Sequence, residues 1–284
     1  MSRKARRRRR TVGVLLLCVA VVAGGSWAAT RFIDSSEIMV REHCTAIVGT
    51  DSFTLAPDQA ANAALISAVS MDRGLPARAA SIGIATAVQE SRLRNIDYGD
   101  QAGPDSRGLF QQRPSQGWGS EEQIMDPVYA ANRFYQELEL LVPDFEDLDV
   151  TVAAQTVQRS AFPEAYADHE PEGRAYASAL TGHSPAGLNC VLKSAPEPGD
   201  AHALAAALQN QLSSVQPEVS DDARTVTISA SGTRGWALVQ WAVANAQQFG
   251  VTAASFGGQG WVRADRGWAP ATGSEGAVTV TFAR

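Results

Sequence analysis

The chain has 284 residues, is 45% hydrophobic and 19% charged, and carries a formal net charge of −6. It is too apolar for a disordered chain and long enough for one large domain or two ordinary ones. Arg3, Lys4 and Arg6 to Arg10 hold seven positive charges, so the remainder stands at −13 (−6 less seven). A body this acidic excludes nucleic acid as the main partner.

Thr11 to Ala29 follows the basic segment 1–10 without a single charge. Its length suits a membrane-spanning helix or the apolar core of a signal peptide. No clean small-x-small cleavage site follows, so an uncleaved anchor over 11–29 is expected. The arginines would stay on the cytoplasmic side and the bulk of the chain would face outward. Cys18, within this segment, reads as a membrane-embedded cysteine rather than a lipid-attachment site. Cys44 and Cys190 fall on the exported side, where disulfides persist, and are expected to pair.

Cys44 to Leu55 alternates around Gly49-Thr50-Asp51 and predicts a small hairpin. Pro57-Asp58 starts a helix with Ala60, Ala61, Ala64, Leu65, Ala68 and Val69 on one face, and Gly74 ends it. Pro76 sits in the first turn of a second helix that runs to Glu90 or just past it. Residues 95–120 are rich in Gly and Pro and predict a long loop. Asp126-Pro127 opens another helix, and stretches at 150–157, 163–166 and 170–180 complete a mainly α domain over 41–193. Ser194 to Asp200 reads as a linker, and 201–284 as a small α+β domain. Helices are expected there at 202–212 and 235–249, and strands at 224–229, 251–256, 261–263 and 278–282.

Glu90 is the principal chemical candidate. Ala79 to Gln89 carries no charge, so this carboxylate closes an apolar helix. Burial disfavours its anion, and so does the partial negative charge at a helix C-terminus. A carboxyl whose pKa is raised can act as a general acid near neutral pH.

Glu90-Ser91 is followed by Arg107-Gly108-Leu109-Phe110-Gln111-Gln112-Arg113-Pro114 and then by Asp126-Pro127. In order and spacing these resemble the soluble-type lytic transglycosylases of the lysozyme-like superfamily, over roughly residues 76–180. The resemblance implies a lysozyme-like domain that cleaves the β-1,4 bond between N-acetylmuramic acid and N-acetylglucosamine in peptidoglycan. Glu90 would serve as acid and then base, and the 6-hydroxyl of the sugar would attack to form an anhydro ring. If water attacks instead, a second carboxylate is expected roughly 6.5–9.5 Å away, and Asp97, Asp100 and Asp105 are the candidates. Ser106, Gln111, Gln112, Trp118, Gln158 and Tyr166 are the candidate substrate-binding residues, with Trp118 and Tyr166 as sugar-stacking platforms. The sequence departs from the family at Val157-Gln158-Arg159-Ser160, where a Tyr-Asn-Ala-Gly stretch is usual. Gln158 can replace the amide, but Val157 lacks the tyrosine hydroxyl that would orient the acid.

Gly235 to Ala242, Trp261, Trp268 and Val278 to Phe282 resemble the C-terminal part of D-alanyl-D-alanine peptidase-like zinc domains. Residues 221–284 contain no histidine or cysteine, and His43, His169, His183 and His202 are scattered, so no metal and no other cofactor is expected. The overall expectation is a membrane-anchored enzyme acting on peptidoglycan glycan strands. The alternative is a catalytically inactive wall-binding or scaffold protein, favoured by the missing tyrosine and by the missing zinc ligands.

Overall fold

The computed structural model describes residues 40–101, 103–160, 163–195 and 198–284. The basic segment 1–10 and the anchor expected over 11–29 lie outside the described residues. Among the described residues no helix is long and apolar enough to cross a membrane.

Glu42 to Arg284 forms one compact unit. It opens with a hairpin of β1 (His43–Val48) and β2 (Asp51–Leu55), which turns at Gly49 (φ 60°). Helices α1 (Pro57–Asp72) and α2 (Ala77–Ser91) follow. After the Gly-rich loop come α3 (Glu121–Met125), α4 (Pro127–Leu141) and α5 (Val150–Gln158). A 3₁₀ segment, Pro163–His169, leads into α6 (Glu170–Leu180) and strand β3 (Leu188–Val191). Asp126 caps α4: its Oδ1 accepts from the Val128 amide at 2.9 Å, and Pro127 fills the first helical position, where no N–H is needed.

Strand β1 runs between β2 and β3 in an antiparallel sheet, with Cys44 opposite Cys190. The two form a disulfide with a Cα–Cα distance of 4.0 Å across a sequence separation of 146. The expected pairing of these cysteines is therefore present. It joins two strands already in register and closes the helical part of the chain.

The C-terminal portion adds α7 (Ala201–Gln211), β4 (Pro217–Val219), β5 (Thr225–Ser229), α8 (Gly232–Ala244), α9 (Ala246–Phe249) and β6 (Val251–Phe256). Strands β7 (Gln259–Val262), β8 (Gly267–Pro270) and β9 (Ala277–Phe282) complete it. Its strands form an antiparallel six-stranded sheet in the order β4-β5-β9-β6-β7-β8.

This corrects the expected fold class. A mainly α domain with a small α+β appendage does not describe a chain with two antiparallel sheets, one of them six-stranded, built on a shared core. The physical reason lies in α8. Its sequence Trp236-Ala-Leu-Val-Gln-Trp-Ala-Val-Ala244 is apolar all round, and every residue from Ala237 to Ala244 is buried. Such a helix needs cover on several sides. It packs on β6 and β9 with one side and on α1, α6 and β3 with others. Gln240, its one amide side chain, donates to Ala179 O at 2.7 Å and accepts from the Leu188 amide at 2.7 Å. Indole N–H groups add two ties to β3: Trp261 to Cys190 O at 3.1 Å and Trp268 to Leu188 O at 2.8 Å. On either side of 196–197 the chain is also held: Lys193 N donates to Glu42 Oε1 at 3.0 Å, and Asp200 N to Phe249 O at 2.9 Å.

Candidate active site

Helix α2 is buried along ten consecutive residues, Ala79 to Val88. Small residues let it sit deep. A Cβ on Gly173 of α6 would come within 2.7 Å of Ser81 O, and one on Gly83 within 2.6 Å of the Tyr135 hydroxyl. A helix this enclosed fixes the direction of whatever follows its last buried turn. Gln89 is exposed and Glu90 half-buried, so the carboxylate emerges where the core ends. The helix stops through two left-handed residues, Arg92 (φ 53°) and Leu93 (φ 55°), with the Leu93 amide donating to Ala87 O at 2.9 Å.

Burial is the main influence on the Glu90 carboxyl and pushes its pKa above the ordinary glutamate range. Hydrogen bonds from Tyr166 and Gln158 pull it part of the way back, and the negative charge of Asp100 adds to the rise. The Tyr166 hydroxyl donates to Glu90 Oε1 at 2.6 Å. Tyr166 is fully buried in the 3₁₀ segment before α6. Burial, followed by the charge and hydrogen bond of Glu90, raises the pKa of its phenol, so it remains a donor at neutral pH.

The Gly-Leu-Phe-Gln turn locks the site from the other side. Gly108 has φ 78°, and a Cβ there would stand 2.6 Å from Ile124 O, so glycine alone fits. Leu109 and Phe110 are fully buried, and Phe110 stacks on Phe134 with ring centroids 4.7 Å apart. Their carbonyls face the site. Ser91 Oγ donates to Leu109 O at 2.7 Å, and Gln158 Nε2 donates to Phe110 O at 2.8 Å. One turn thus cross-links the C-terminal ends of α2 and α5 around Glu90.

The candidate residues separate by role. Gln158 stands beside Glu90, and Trp118 shares with it a groove of about 360 Å³ bordered by Gln116, Arg133, Glu137 and Arg159. Half-buried Trp118 carries the Arg133 guanidinium 5.7 Å from its ring centroid. Gln111 is half-buried in the turn with φ 47°. Gln112 is buried and donates through Nε2 to Ala130 O at 3.0 Å, which makes it a brace for the loop rather than a substrate contact. Ser106 is buried too, close enough to Gly103 to meet a Cβ there at 2.4 Å, and likewise shapes the loop. Tyr166 offers no stacking face. Its ring is enclosed and its hydroxyl is committed to Glu90, so the expected sugar platform is a positioning residue.

That finding bears on the departure at Val157. The hydroxyl missing there reaches the carboxylate from Tyr166, in the following 3₁₀ segment. Of the loop aspartates, Asp105 is held by Ser115 and by Arg113, whose Nε lies 2.8 Å from Oδ1, and these contacts lower its pKa. Asp100 accepts from the Gly103 amide at 2.8 Å and acts on Glu90 through its charge. Asp97 is exposed. The sequence reading passed over Arg133 and Arg159. Its signal for Arg159 was the position directly after Gln158.

Among the described residues no group of His, Cys, Asp and Glu is arranged to hold a metal ion. In the C-terminal portion, Ala277-Val278-Thr279-Val280 forms the interior strand β9, with Val278 and Val280 buried. No known family model and no curated protein matches this chain.

Proposed function

We propose that this protein cleaves the glycan strands of peptidoglycan in the manner of a lytic transglycosylase, with Glu90 as acid and then base. The supporting observation is the hydrogen bond from buried Tyr166 to a half-buried Glu90 whose carboxyl is raised by burial; Gln158, which also bonds that carboxyl, borders a groove. A carboxyl raised in this way keeps its proton to higher pH than an exposed glutamate, and the Tyr166 bond orients it.

The proposed chemistry uses one carboxyl twice. Glu90 gives its proton to the glycosidic oxygen as the bond from that oxygen to the sugar's C1 breaks. The resulting carboxylate takes the proton of the 6-hydroxyl as that oxygen bonds to C1 and closes the anhydro ring. Glu90 ends protonated, as it began. Commitment of Asp105 to Arg113 and Ser115 removes one of the three candidates for a second carboxylate, and leaves Asp97 and also Asp100, whose charge acts on Glu90. The wall-binding alternative rested on the missing tyrosine and the missing zinc ligands, and the Tyr166 hydroxyl on Glu90 weighs against the first of these. The basic run and the uncharged segment 11–29 support placement on the outer side of the membrane, where the wall lies.

The test is release of soluble fragments from dye-labelled peptidoglycan by the full-length protein in detergent. The wild type is expected to release dye and the Glu90→Gln variant is not. Equal release by both would remove Glu90 from the chemistry, and release by neither would remove the activity.

A further inference from the structure

The 3₁₀ segment that carries Tyr166 is fastened to two consecutive residues of α2. The Tyr166 hydroxyl meets Glu90 at 2.6 Å, and three residues further on His169 Nε2 lies 2.9 Å from Gln89 Oε1. An amide oxygen only accepts, so the imidazole donates. The spacing follows from the local geometry. Side chains three apart on a 3₁₀ turn eclipse, so Tyr166 and His169 share one face of Pro163–His169. Gln89 and Glu90 are neighbours in the last turn of α2, where that helix leaves the core.

His169 stands directly before α6, a position where Ser, Thr, Asp or Asn would satisfy a free helix amide. Its side chain caps nothing there. The ring is half-buried and turned to Gln89 instead. Burial lowers the pKa of His169, against the opposing charge of Asp168, so the ring is uncharged at neutral pH and acts through its hydrogen bond. Gln89 is exposed, so the pair is no part of the core. The next residue, Glu170, pairs with Arg78 at 3.1 Å, in the first turn of α2 and at the opposite end of that helix from Glu90. After Tyr166, it is therefore His169 that ties the segment to α2 beside the acid.

We infer that His169 is a positioning residue for the reaction: through Gln89 it holds the 3₁₀ segment against the end of α2 and so keeps Tyr166 on the Glu90 carboxyl. This rests on the reading of Glu90 as the acid and deepens it. The effect of His169 on the acid is carried by Tyr166, and two consequences follow from that. Loss of the His169 bond raises the Glu90 pKa, because the Tyr166 bond that it secures lowers it. The rise vanishes once the Tyr166 hydroxyl is gone, because nothing is left to position; two residues that act through one contact are not additive.

The test reads the Glu90 carboxyl directly. Full-length protein in detergent, isotopically labelled at its glutamate carboxyls, is titrated with pH by NMR, and the Glu90 signal is assigned by its absence from Glu90→Gln. His169→Ala is expected to raise the Glu90 midpoint by part of the rise seen in Tyr166→Phe. Gln89→Ala removes the acceptor from an exposed position and is expected to match it, and it carries the same reading if His169→Ala fails to fold. His169→Gln, whose Nε2 still donates, is expected to stay near wild type. In the Tyr166→Phe background His169→Ala is expected to add nothing. An unmoved midpoint, a rise that His169→Gln does not relieve, or one that adds in full to that of Tyr166→Phe would overturn the inference. Glycan cleavage is scored separately and is expected to fall about 3- to 10-fold in His169→Ala. Midpoints that move as stated in a protein that cleaves no glycan would keep the role of His169 and sink the proposed activity, whereas cleavage with unmoved midpoints would do the reverse.

Discussion

Tyr166 donates a 2.6 Å hydrogen bond to Glu90 across 76 residues of chain. The phenol has no access to solvent, and the carboxylate stands at the boundary of the core. This contact aims the Glu90 carboxyl at the end of a buried helix.

Tyr166→Phe keeps the buried ring and deletes the donor. Glycan cleavage is expected to fall by roughly 10- to 100-fold, within the usual range for disturbing a general acid. The hydrogen bond from Tyr166 lowers the Glu90 pKa, so its loss raises it. In the proposed reaction Glu90 begins protonated. The alkaline limb of the pH–rate profile should therefore move to higher pH in the variant. A lower rate with an unmoved limb would give Tyr166 a purely structural role.

Glu90 also links stability to pH. Burial raises its carboxyl in the folded chain, so the folded state holds the proton to higher pH than the unfolded one. That contribution is fully present below the ordinary glutamate range and is lost as pH rises through the raised value. Glu90→Gln has no charge to desolvate. Its thermal midpoint relative to wild type should rise with pH across that window, as read by differential scanning calorimetry.

Ser91→Ala removes the hydroxyl that meets the buried carbonyl of Leu109 at 2.7 Å. An orphaned carbonyl costs about 1–3 kcal/mol, and denaturant unfolding should show a loss of that size. Activity should fall as well, because the same bond ties the Gly-Leu-Phe-Gln turn to the end of the helix that carries Glu90.

Replacing Cys44 and Cys190 together by alanine opens the loop between them, whose sequence separation is 146. The chain-entropy estimate for such a loop is roughly 4–5 kcal/mol. Chemical denaturation of the double variant against the oxidised wild type measures it.

Gln240→Leu tests whether the helical part and the large sheet unfold together. The amide bonds Ala179 O and the Leu188 amide from inside the shared core. Its loss should cost about 2–4 kcal/mol, through backbone groups left unpaired in the interior. Calorimetry should still show a single transition at a lower temperature. Two separated transitions would mean that the sheet and the helices are thermodynamically independent.

Part of this architecture was legible in the chain. An uncharged run ending in Glu90 reports burial directly, because unpaired charges are rarely buried. Gly108 marked the turn, Asp126-Pro127 marked a helix start, and two exported cysteines marked a bridge. The local pattern carried each of these. The contacts that complete the site are tertiary and left no local trace: Tyr166 on Glu90, Ser91 on Leu109 O, and Gln158 on Phe110 O. The large sheet was underestimated for a related reason. Strands β4 and β8 are short, contain Pro217 and Pro270, and lie at the two edges of the sheet, so their sequences resemble turns. The stretch 235–249 is expected as a single helix. It is two helices meeting at Asn245, and the first is buried all round, which is how sheet and helices come to share one core.

The central claim is that Glu90 breaks glycan strands without a second carboxylate. Mass spectrometry of purified peptidoglycan after incubation with the full-length protein tests it most directly. The account predicts fragments ending in 1,6-anhydro-N-acetylmuramic acid from the wild type and none from Glu90→Gln. Fragments with ordinary reducing ends would contradict it, since water would then be the nucleophile and a second carboxylate would be needed to activate it.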